Sequence, residues 1–130
     1  MRRAVMLVAV LILGGCAFAI VGEDRFRAEA FRREGAFAVN YQALFRCFSA
    51  TVPQGNTALM GMGQTPSTTQ LYPDLGFGEY RWAGAHGARS GFLALIEFRK
   101  AGPFETKVTA WQVSKASLDD DWAKIAACVP

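Results

Sequence analysis

Two helix-period apolar stripes bracket a long stretch of strand texture, and that order limits the chain to layers of helix on sheet. Tyr41, Leu44, Phe45, Phe48 and Val52 recur at helical spacing and make one broad face. Asn40 precedes them as an N-cap, with Val39 and Leu44 at hydrophobic-staple spacing. Pro53 and Gly55 stop this helix. Leu118, Trp122, Ile125 and Val129 form the second stripe, with Ser117 read as its cap. Asp119, Asp120 and Asp121 then fill the first turn, where the helix dipole favours negative charge. Consecutive residues cannot all face one ion, so these aspartates read as dipole compensation and no metal is expected.

Before the first stripe, Ala36-Phe37-Ala38-Val39 suits a short strand, and the folded domain is expected from Gly35 to Pro130. After it comes a loop rich in Gly, Thr, Gln and Pro, from Gln54 to about Thr69. Met60 and Met62 lie inside it; methionines can make an adaptable binding surface, although a short strand or buried loop residues explain them too. Gln70-Leu71-Tyr72 and Gly78 to Trp82 flank Pro73-Asp74, a turn or bulge signal. Gly84 to Gly91, with His86 inside, is a glycine-rich hairpin connection. Phe92, Ala94, Ile96 and Phe98 alternate with Leu93, Leu95, Glu97 and Arg99. Ala101-Gly102-Pro103 turns the chain into a strand from Glu105 to Val113, with Val108, Ala110 and Trp111 as packing residues. The expected architecture is α+β in the order β-α-β-β-β-α. An antiparallel sheet carries two helices on one face, and an N-terminal signal helix precedes it.

The N-terminus is a separate matter. Arg2 and Arg3 form a positive n-region, and Ala4 to Leu13 an apolar h-region of about ten residues, the layout of a secretory signal. Glu23 to Glu34 mix four arginines with four acids, which fits a solvated tether or short helix better than a lipid-headgroup patch. Phe26, Ala30 and Phe31 could dock it on the domain.

Leu13-Gly14-Gly15-Cys16 resembles the lipobox of bacterial lipoproteins, where a leucine and two small residues precede a lipidated cysteine. The resemblance covers the first sixteen or so residues. It implies that residues 1–15 are removed, that Cys16 carries lipid, and that 16–34 form the lipidated N-terminus and tether. Ala17 follows the cysteine, and the aspartate that favours inner-membrane retention in that family is absent, so the outer membrane is implied. Several chains would anchor durably, at about 0.8 kcal/mol per buried methylene. The alternative is an uncleaved signal anchor, because apolar or small residues run on through Gly22 for roughly nineteen residues from Ala4. Both place the remaining chain outside the cytoplasm.

With Cys16 assigned to lipid, two of the three cysteines remain, Cys47 and Cys128, each at the flank of a helical stripe. An oxidising compartment then makes one disulfide the reading, against two free buried thiols. Of the 14 basic residues Arg2 and Arg3 belong to the signal, so the remainder nearly matches the 11 acids. Nucleic-acid binding thereby loses its electrostatic basis.

Catalytic signatures are missing. His86 is the single histidine and lies between glycines. No Gly-x-Ser-x-Gly elbow, zinc-spaced cluster or phosphate loop is present. Glu79, Glu97 and Glu105 could pair as acid and base, but charged residues on strands usually face water. The expectation is a non-enzymatic envelope lipoprotein with no cofactor, a structural or interaction module touching an unidentified envelope partner. The element order loosely resembles helix-grip domains of some envelope lipoproteins. The alternative is a carrier or sensor of an apolar ligand held between sheet and helices, for which ten phenylalanines and four methionines are the argument.

Overall fold

A computed structural model describes residues 19–52, 67–86 and 89–130. The lipobox with Cys16, the signal segment and the Met60/Met62 loop lie outside these residues, and the His86 side chain is likewise not described. The elements run β1 (Ala19–Val21), α1 (Glu23–Glu29), β2 (Phe31–Phe37), α2 (Tyr41–Thr51), β3 (Ser67–Tyr72), β4 (Phe77–His86), β5 (Arg89–Gly102), β6 (Glu105–Gln112) and α3 (Lys115–Ala127). Five strands form an antiparallel path, β2-β6-β5-β4-β3. β1 adds beside β5 in parallel, with Ala19 against Arg89 and Val21 against Gly91. The architecture is α+β, with α2 and α3 on one face of the sheet.

Three details of the sheet differ from the sequence expectation. First, four strands follow α2 rather than three. Pro73–Leu75 form a single turn of 3-10 helix, closed by Gly76 at φ 68°, a conformation that suits glycine. The turn splits the expected single strand into the β3–β4 hairpin. Second, the folded region begins before Gly35. β2 starts at Phe31 and pairs along its whole length with β6, from Phe31 against Gln112 to Phe37 against Thr106. Its Arg32-Arg33-Glu34 run reads as tether by composition, yet such charge is what an edge strand carries when one side faces solvent. Third, the strand alternation breaks at Leu93. A bulge sets Trp82 opposite Ala94 but Ala83 opposite Phe92. One extra residue reverses side-chain parity, so Phe92 leaves the Ala94-Ile96-Phe98 face and packs against Phe26 of α1 at 6.0 Å between ring centroids.

The inner face holds the main core: Leu44, Phe45, Phe48 and Val52 from α2, Leu118 and Ile125 from α3, and Tyr80, Ala94, Ile96, Phe98, Val108 and Ala110 from the sheet. Phe48 meets Tyr80 edge-on at 5.5 Å and Phe98 at 5.3 Å. Phe45 lies so close over Gly78 that a Cβ there would sit 2.6 Å from its ring. The outer face carries a smaller cluster in which α1 buries Phe26 against Leu95 and Trp111.

The helix ends show how local sequence sets these positions. The Asn40 side chain accepts from the N–H groups of Gln42 at 3.0 Å and Ala43 at 3.3 Å, as an N-cap should. At α3 the cap is Ser114, not Ser117; its Oγ accepts from the Ser117 N–H at 3.1 Å. The helix therefore starts at Lys115, and the aspartates fall beyond its first turn. Asp119 pairs with Lys115 at 3.2 Å and Asp120 with Lys124 at 2.8 Å, both one turn apart. Asp121 points inward and is buried. Cys47 on α2 is bonded to Cys128 at the end of α3, with Cα atoms 5.8 Å apart.

Candidate functional site

Three places concentrate chemistry, and each follows from an element described above. On the outer face, register sets Glu79 of β4 directly opposite Glu97 of β5. Two facing carboxylates repel, so cations must intervene. Arg27 of α1 donates to Glu97 at 2.6 Å and to Glu23 at 2.8 Å. Arg99 donates to the other Glu97 oxygen at 3.1 Å, and Arg81 reaches both Glu79 and, at 3.2 Å, Glu23. Arg99, Glu97, Arg27, Glu23, Arg81 and Glu79 thus form one neutral chain between α1 and the sheet. Arg27 also lies over the Trp111 ring at 4.3 Å. Burial works against the charge on Arg27, but its bonds to Glu97 and Glu23 outweigh it and hold the guanidinium above its ordinary value. Burial pushes Glu97 up, and the bonds from Arg27 and Arg99 outweigh it and hold the carboxyl below the usual range. The Glu97 carboxylate is held as an ionised acceptor, which suits a clamp holding α1. Glu105 stands apart, at the β5–β6 turn.

The second place is buried between β6 and α3. Gln112, 1% exposed, donates through Nε2 to Asp121, while its Oε1 has no hydrogen-bond partner. Burial pushes the Asp121 carboxyl up, with Lys124 opposing and Asp120 adding. Tyr80 is pushed up to about 12 by burial, with Asp121 adding to the shift and Ser67 opposing it. Asp121→Asn is therefore expected to stabilise the fold at pH 7 by about 1 kcal/mol. It removes a buried charge, and its new N–H can supply the missing donor to Gln112 Oε1. The sign follows from linkage. A raised folded pKa means that Asp121 contributes stability below its unfolded value, and that this is lost as pH rises through the folded one. The advantage of the variant should fade in acid, which thermal unfolding of both proteins across pH 3 to 8 would show.

The third place is the end of the sheet formed by the β3–β4 and β5–β6 turns. Leu75 is 70% exposed and Phe104 79% exposed, in contrast to the buried apolar residues of both cores. Both turns are braced. The Lys100 N–H donates to Gly76 O at 2.8 Å, and Asn40 Nδ2 donates to Pro103 O at 3.1 Å.

The sequence points to Glu79 and Glu97 but not to their partners on α1; it offers Asp121 only within the aspartate run set aside as a metal site, and it does not mark Gln112, Leu75 or Phe104. Pro73-Asp74-Leu75-Gly76 and Gly102-Pro103-Phe104-Glu105 do carry a signal: a large apolar residue at the centre of a tight turn has no core to enter. His86 ends β4 opposite Arg89 in register, beside β1. Among the described residues no group of His, Cys, Asp and Glu could hold a metal ion, and no helix is long and apolar enough to cross a membrane.

No protein-family model and no curated protein matches this sequence. Among solved structures, the di-domain ARO/CYC StfQ from the steffimycin biosynthetic pathway is similar over 75% of this chain, at 12% identity and a TM-score of 0.44; the chain spans 42% of its length.

Proposed function

We propose that this protein is a membrane-tethered lipoprotein of the bacterial cell envelope, anchored through lipid on Cys16 and acting as a non-enzymatic structural or protein-interaction module. The observation that carries the reading is the polarity of the sheet. Only Ala17 and Phe18 lie between Cys16 and β1, and β1 pairs with β5 at Arg89–Gly91. A lipid on Cys16 would hold that end of the sheet against the bilayer, and the outer membrane facing the periplasm is the side that Ala17 favours. The exposed Leu75 and Phe104 would then face away from the membrane. Because β5 has 14 residues, the two ends stand about 45 Å apart.

Phe45, Phe48 and Phe98 pack on one another, and Phe45 packs on Gly78, which favours interaction over carriage of an apolar ligand between sheet and helices. The locked Glu79 and Glu97 pairs support a non-enzymatic role. Cys16→Ser tests the tether. It is expected to abolish incorporation of radiolabelled palmitate into the protein while leaving thermal unfolding unchanged. Undiminished labelling of Cys16→Ser would overturn the lipid anchor.

A further inference from the structure

We infer that the Leu75/Phe104 end is a preformed docking surface for a partner protein that presents an apolar cleft with a basic rim. This rests on the tethered-module reading and deepens it by naming the partner's chemistry.

Three observations lead there. Each tip offers one large apolar side chain to solvent, Leu75 and Phe104. Each tip is rigid. Pro73 opens the first, Gly76 closes it with its N–H on Pro73 O at 3.2 Å, and backbone bonds tie it to β5. The second is held to the N-cap of α2 through Pro103 O. Rigid exposed anchors lose little freedom on binding, which is how a few side chains come to dominate an interface. Each tip also sets an exposed acid beside its apolar residue, Asp74 next to Leu75 and Glu105 next to Phe104. Neither acid belongs to an ion pair among the described residues, and segments 73–76 and 102–105 contain no base. Lys107, two residues beyond Glu105, is paired with Glu34 at 3.0 Å, and Lys100 lies on β5 beside Gly76.

These charges select the occupant. Two acids flanking the apolar tips repel an anionic bilayer. A two-fold contact between copies of this chain would gather four acids around two Lys100 side chains and leave an excess of negative charge. A basic-rimmed cleft satisfies both the charges and the apolar tips.

The test uses the full-length chain in cells, with a photo-crosslinking benzoylphenylalanine in place of Phe104 and, as a control, in place of Lys124. The expected result is a discrete heterologous protein adduct from position 104 only, reduced at least five-fold in the Asp74→Lys/Glu105→Lys background. Membrane retention and thermal unfolding should stay unchanged in that background. Adducts of twice the protein's own mass, lipid adducts, no adduct, or an adduct that survives charge reversal would each overturn the docking surface. Loss of membrane retention in the unsubstituted chain would instead strike the tether reading, so the two failures are distinguishable.

Discussion

Cys47→Ala/Cys128→Ala is expected to lower stability by about 4.5 kcal/mol. The bonded residues are 81 apart in sequence, so the bridge removes a large closed loop from the unfolded ensemble. It also ties the end of α3 to α2, and these two helices supply one wall of the core. Domains of this size are commonly stable by about 5–15 kcal/mol, so the variant should sit near the edge of folding at 37 °C. Urea unfolding of the wild type, of the double variant and of the reduced wild type checks this. Both perturbed forms should show the same lowered midpoint. A loss below about 1 kcal/mol would mean that the unfolded chain is already compact.

Phe48→Ala should cost about 3–5 kcal/mol. Phe48 is fully buried and touches both Tyr80 and Phe98, so it bridges α2 to two neighbouring strands. Close packing around it leaves the site little room to collapse, as the approach of Phe45 to Gly78 shows. Trp122→Ala is expected to cost less, about 2–3 kcal/mol. Trp122 is half-buried, lying over Gly35 with Phe37 at 5.5 Å and Arg33 at 4.7 Å. Chemical denaturation of the two variants side by side would test the ranking.

Much of the inner layer is legible in the sequence, because helix periodicity and a strong N-cap signal act locally. Tyr41 to Thr51 form the expected helix behind Asn40. Leu118 and Ile125 reach the core as their spacing implies. What escapes the sequence depends on pairing across the sheet. β2 is hidden because its partners on β6 lie 69 to 81 residues away and its own charges read as tether. The bulge at Leu93 has no local signature, so Phe92 is assigned to the wrong face. Asp121 is indistinguishable from Asp119 and Asp120 by type. Only the start of α3 at Lys115 turns it toward Gln112.

The outer face was the least visible. Arg25, Arg27, Glu23 and Glu29 look like a solvated run, and two of their contacts are within the helix itself, Arg25 to Glu29 at 2.9 Å and Arg27 to Glu23 at 2.8 Å. The contact that docks the helix, Arg27 to Glu97, spans seventy residues of sequence. Phe26 gives the apolar half of the same attachment. Under the proposed anchor, this folded strap would follow Cys16 directly and would hold the tethered end of the domain close to the bilayer.

The central claim is the lipid on Cys16, since the orientation of both ends of the sheet depends on it. Intact-mass and peptide mass spectrometry of protein extracted from membranes tests it most directly. The account predicts a chain that begins at Cys16 and carries the added mass of a diacylglyceryl group and an N-terminal acyl chain. An intact N-terminal peptide from Met1 onward, with Cys16 unmodified, would contradict it and leave an uncleaved signal anchor in its place.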